Sequence, residues 1–117
     1  MLNQSAELDR LFHALADPAR RAIVERLSRG PARVSELARP LPMSLSAAMQ
    51  HLGVLEAAGL VRSEKIGRVR TCAIELKALS LAELWIAALR TEWELRLDRL
   101  CEYLKSLEEG DHDGSGD

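Results

Sequence analysis

The four prolines of this chain stand at 18, 31, 40 and 42, and none follows them. Proline lacks an N–H and clashes with the carbonyl of the preceding turn, so this part of the chain can hold only short helices with sharp limits. Leu8, Leu11, Phe12 and Leu15 recur at helical spacing, and Asp17 then caps a second helix. Pro18 takes the first position of that helix, where a missing N–H is no loss. Ile23, Val24 and Leu27 supply its apolar face, and Gly30-Pro31 ends it. A third, short helix fits Val34 to Ala38, because Pro40 disfavours helical geometry at Arg39 and Pro42 prevents resumption. Ser44 can cap a fourth helix, whose Ala48, Leu52 and Leu55 face inward and whose exit Gly59 can take in the left-handed region.

The segment LVRSEKIGRVRTCAIEL then reads as two strands, Val61 to Ile66 and Val69 to Glu75, around a turn at Gly67 with Arg68 beside it at the tip. From Leu79 to about Leu107 runs a last helix with Ile86, Leu89, Trp93, Leu97, Leu100, Leu104 and Leu107 at steps of three and four, a seam that wants a partner helix. The closing GDHDGSGD is polar and Gly-rich, so residues 1–109 are expected to form the folded domain and residues 110–117 a disordered tail. With 47% hydrophobic but only 3% aromatic residues among 117, the core must be built from Leu, Ala, Val and Ile, which favours helix.

Charge is unevenly spread. The net charge is −2, yet residues 20 to 70 hold ten Lys/Arg against four Glu, so this middle region is basic inside an acidic whole. Such an asymmetry implies that one region faces a polyanion while the rest stays soluble. No apolar run approaches the roughly 18 residues of a membrane span, and MLNQSAELDR lacks the basic-then-apolar order of a signal peptide, so no membrane partner and a cytoplasmic location are expected.

Helix, tight connection, helix and a basic-tipped hairpin make the order of a winged helix-turn-helix: mainly α with a small β-hairpin wing, its second motif helix entering a DNA major groove. The flank of the fourth helix carries Ser46, Ala47, Met49, Gln50 and Gly53, all short or uncharged. Small side chains there let the helix approach base edges within a groove about 12 Å wide. Gln50 can hydrogen-bond an adenine edge twice, Ser44 and Ser46 can donate to phosphate or base, and Ala47 or Met49 can touch a thymine methyl. Packing against another helix would also use small residues, but the basic hairpin that follows has no packing explanation.

The stretches LDRLFHALADPARRAIVERL and VSELARPLPMSLSAAMQHLGVLEAAGLV, with the wing around IGR, resemble the arsenical-resistance-repressor (ArsR) family of bacterial winged-helix regulators over residues 7 to about 76. The resemblance implies a homodimeric repressor on an inverted-repeat, double-stranded DNA operator, dimerising through its first and last helices. The interface residues on this reading are Leu8, Leu11, Leu89, Trp93, Leu97, Leu100 and Leu104. The DNA-binding residues are Arg33, Ser44, Ser46, Ala47, Gln50 and His51, with Lys65, Arg68 and Arg70 on the wing.

The chain also resembles a branch with a Trp-containing last helix ending RLDRL, here Arg96 to Leu100, whose effector is generally not a metal. Metal-sensing members carry Cys-x-Cys on the third helix, where Val34, Ser35 and Glu36 stand here, and others place Asp and His ligands along the last helix, in which no histidine is expected. His13, His51 and His112 are too scattered to share a helix face, and His51 falls where the family has a recognition-helix histidine, a DNA-proximal or capping group. Gly53 replaces a residue often basic in relatives, which implies a different target sequence. Neither a metal nor another cofactor is expected, and a small-molecule inducer is left open. Cys72 shares a strand face with Ile74 and Cys101 adjoins the leucine stripe, so both read as small buried hydrophobes rather than a thiol switch. No nucleophile, base and orienting group recur at useful spacing and no phosphate-cradling Gly-rich loop is present, so no enzyme is expected. A thiol- or ligand-responsive repressor, or a winged-helix dimer that binds protein, are the alternatives.

Overall fold

The computed structural model describes the backbone of residues 2–115 and the side chains of residues 5–110. Its elements run α1 (Leu2–Leu15), α2 (Pro18–Leu27), β1 (Ala32–Arg33), α3 (Val34–Ala38), α4 (Leu45–Ala57), β2 (Val61–Ile66), β3 (Val69–Ile74) and α5 (Lys77–Ser115). The chain divides into two compact units, Met1–Ala82 and Glu83–Asp117.

The breaks in the first unit follow from local chemistry. Asp17 is extended at φ −92°, ψ 129°, and its carboxylate accepts the Arg20 N–H at 3.0 Å, which starts α2 with Pro18 at its first position. Ser44 does the same for α4 by accepting the Ala47 N–H at 3.1 Å. Glu36 accepts the Arg33 N–H at 3.3 Å and lies 3.8 Å from the Arg26 guanidinium, so the start of α3 is tied back to α2. Gly59 (φ +76°) ends α4 and Gly67 (φ +64°) turns the hairpin, both in the region where a Cβ is disfavoured.

The three strands form an antiparallel sheet of order β1-β3-β2. Val61↔Ile74, Ser63↔Cys72 and Lys65↔Arg70 are paired, and the period of two places these six on one face. Val61 and Cys72 are buried, so this is the face turned to the helices. The largest fully buried side chains are Leu11, Ile23, Leu27, Leu37, Leu55, Leu60 and Cys72, contributed by all four helices α1 to α4, the α4–β2 turn and β3. Truncating one of these leucines to alanine should destabilise the fold by about 2–5 kcal/mol.

Several expectations need correction. Strand β1 is absent from the sequence reading because two residues between Pro31 and α3 carry no periodicity, and only pairing with β3 (Ala32↔Cys72, Arg33↔Thr71) defines it. Leu11, expected at a dimer interface, is 1% exposed inside the core of its own unit and has no surface to offer a second chain. Strand β3 stops at Ile74, one residue short of the expected end. Helix α5 begins at Lys77 and extends to Ser115, well past Leu107, so it takes in His112, whose side chain lies outside the described residues. The stretch 110–117, expected to be disordered, overlaps its last turns, and residues 116 and 117 lie outside the description. In the second unit every residue from Glu83 to Gly110 is exposed, Cys101 included, against the expectation that this cysteine is buried. No described helix is long and apolar enough to cross a membrane.

Candidate nucleic-acid interface

Helix α4 buries Ala48, Leu52 and Leu55 and exposes Leu45, Ser46, Met49, Gln50, Gly53, Glu56 and Ala57, so its inner line is aliphatic and its outer line is uncharged as far as Gly53. The cap leaves the Ser44 oxygen occupied by the Ala47 N–H while its own O–H remains available as a donor. Ala47 is half-buried at the edge of the outer face. A Cβ built on Gly53 would meet no heavy atom within 4 Å. At Gly53, therefore, the absence of a side chain is not required by packing within the chain.

Beyond α4 the hairpin presents Lys65, Arg68 and the apolar pair Ile66↔Val69 at its tip, all exposed. Arg70, paired across from Lys65, is engaged: its Nη1 donates to Ser63 Oγ at 2.9 Å, and the Ser63 hydroxyl in turn donates to Glu56 near the end of α4. This relay ties the wing to the helix. Arg33 is likewise held, its Nε 3.9 Å from Glu36 at the sheet edge opposite Thr71.

His51, expected among the DNA-binding residues, is placed differently from the exposed outer line of α4. It is half-buried, and its Nδ1 receives Arg20 Nη1 at 3.3 Å. Arg20 also donates to the carbonyls of Ala14 (2.7 Å) and His13 (3.2 Å) at the end of α1. The Arg20 N–H holds the Asp17 carboxyl below its ordinary pKa against the opposing effect of burial, and the Arg20 guanidinium adds to the lowering. Burial pushes the Cys72 thiol up, Glu56 adds to this and Arg70 opposes it. Arg20, Glu56 and Ser63 carried no sequence signal of these roles, since each side chain acts through partners six or more residues away. Among the described residues no group of three or more His, Cys, Asp or Glu is placed to hold a metal ion.

Residues 15–64 match the model of a helix-turn-helix domain family. The chain is 49% identical over 84 residues to the HTH-type transcriptional regulator Rv2034 of Mycobacterium tuberculosis, covering 72% of each chain. The crystal structure of an ArsR family transcriptional regulator, RHA00566, superposes with a TM-score of 0.74 at 51% identity, covering 77% of this chain and 93% of that one. The solution structure of the homodimeric winged helix-turn-helix DNA-binding domain of Mb0332 from Mycobacterium bovis matches with a TM-score of 0.58 at 30% identity, over 74% of this chain and 80% of that one.

Proposed function

The chain belongs to the ArsR family of winged helix-turn-helix transcriptional regulators, and from that membership and the surface of α4 we propose that it is a cytoplasmic, homodimeric repressor of an inverted-repeat operator. The observation that carries this reading is the exposed outer line of α4, uncharged as far as Gly53 and open there without a packing reason, beside a wing whose Lys65 and Arg68 are exposed. Ser44, Ser46, Ala47 and Gln50 face the major groove, while Lys65 and Arg68 hold phosphates or the adjoining minor groove. Arg33 and Arg70 have partners within the chain and act first as struts, and His51 belongs with them.

The homodimer reading rests on the second unit. Leu89, Trp93, Leu97, Leu100 and Leu104 are all exposed along one side of α5, a stripe a single chain leaves uncovered. A second copy covers it with the same stripe, as two-fold interfaces do. Two joined recognition helices then meet successive major grooves about 34 Å apart. With Val34, Ser35 and Glu36 in place of a Cys-x-Cys pair, the effector is not a thiolate-bound metal, and the family reading assigns no catalytic step.

The decisive experiment selects bound fragments from random DNA and titrates the recovered operator against Gln50→Ala and Arg68→Ala. Gln50→Ala should weaken operator binding by about 1–3 kcal/mol and leave random DNA nearly unchanged, because only base-edge hydrogen bonds discriminate. Arg68→Ala should weaken both and lower the slope of log affinity against log salt by about one. Recovery of no enriched sequence would sink the repressor reading.

A further inference from the structure

We propose that Arg20 is the positioning residue of the recognition helix, its guanidinium fork fixing the rotation of α4 about its own axis by holding His51 against the end of α1. The proposal rests on the DNA-binding reading above and names a residue that contacts no base in it. Arg20 is half-buried where α1, α2 and α4 meet, and its side chain reaches three acceptors on two other helices: Ala14 O, His13 O and His51 Nδ1. Its own N–H is held by Asp17, which roots the residue in the first turn of α2. The next residue repeats the reach, Arg21 Nη1 donating to Leu15 O at 2.8 Å, so the last carbonyls of α1 are covered from α2.

Guanidinium has no acceptor, so His51 Nδ1 accepts and the ring proton sits on Nε2. The ring follows Gln50 directly and lies on the border between the buried line of α4 and its outer face. Burial of Ala48, Leu52 and Leu55 draws α4 onto the core, but apolar contact is non-directional and two of these three are identical leucines on a small-residue background. A hydrogen bond to a fixed fork is directional. Side-chain tips lie about 5–6 Å from a helix axis, so a rotation of about 20° displaces them by about 2 Å, more than a base-edge hydrogen bond tolerates. Loss of the fork therefore disturbs base reading while leaving the phosphate contacts of the wing in place.

The test compares Arg20→Lys, His51→Leu and the double variant with wild type on the selected operator and on random DNA, with melting curves to confirm folding. Lysine keeps the charge but cannot fork among three acceptors. Each single variant should lose about tenfold on operator and less than twofold on random DNA, and the double variant should lose no more than the worse single one. Equal loss on both DNAs for the single variants, full operator affinity of Arg20→Lys, or multiplied losses in the double variant would overturn the proposal. A measurement on unsubstituted protein stands apart from DNA: long-range nitrogen–proton NMR of the His51 ring should show the Nε2–H tautomer, and an Nδ1–H ring would overturn it whatever the variants do. A wild type that binds no DNA would defeat the repressor reading, yet the tautomer would still decide whether the Arg20–His51 contact exists.

Discussion

Cys72 lies at the centre of the sheet, fully buried, with Ser63 opposite it on β2 and Ala32 opposite it on β1. Its pKa is raised chiefly by burial, with Glu56 adding to the effect, so at neutral pH it is a thiol and a poor nucleophile. A repressor switched by oxidation at this position would first have to open its own core. Alkylation of the native protein at neutral pH should leave the Cys72 peptide unmodified by mass spectrometry, and urea should expose it to full labelling. Native labelling of Cys72 as fast as that of the exposed Cys101 would show that the core opens readily and would revive thiol control. The other half-buried polar groups likewise work for their neighbours: Asp17 caps α2, Arg20 closes α1 against α4, and Arg70 and Ser63 brace the wing.

Helix α4 trades stability for its outer surface at Gly53. A helix-interior glycine is less favourable than alanine by about 1 kcal/mol, and here the methyl of alanine would enter open space. Gly53→Ala should therefore raise the melting temperature by several degrees for a domain of this size. Operator affinity should fall in the same variant, because the added methyl stands between the backbone of α4 and the groove it approaches. Thermal denaturation and operator titration on one preparation check both signs, and a variant both more stable and fully active would show that the face need not be so low. The hairpin beside it is tied to α4 through Glu56, so helix and wing are joined into one surface rather than two.

For the chain as a whole, the proposed dimer rests on the exposed stripe of the second unit. Trp93 is 61% exposed and takes no part in the core around Leu11 and Leu55, so Trp93→Ala should keep the fold while weakening the dimer. Removing a central aromatic anchor weakens an interface by about 2 kcal/mol or more, roughly thirtyfold in the dimer dissociation constant. Sedimentation at micromolar concentration should show a wild-type dimer and a variant shifted toward monomer with unchanged helical circular dichroism, and operator affinity should fall in parallel. A monomeric wild type, or a variant that stays dimeric with full affinity, would contradict the assembly.

The starts of α2 and α4, the exit of α4 and the turn of the hairpin were legible in the residues alone, because Asp17-Pro18, Ser44, Gly59 and Gly67 act through backbone conformation and hydrogen bonds that reach no more than four residues, whereas the limits of α5, with no such signal, were not. The inward line Ala48, Leu52, Leu55 was legible for the same reason, since helical periodicity is a local property. Contacts between distant segments were not. Strand β1 exists only because β3 offers a free edge to two residues without a pattern of their own, and Leu11 joins the core rather than an interface because α2 and α4 pack against α1. The placement of His51 depends on Arg20, 31 residues earlier, and that of Arg70 on Ser63 and Glu56. Side chains of one type can face a groove or a neighbour with equal local propensity, and only packing in three dimensions chooses which partner lies within a hydrogen bond's length.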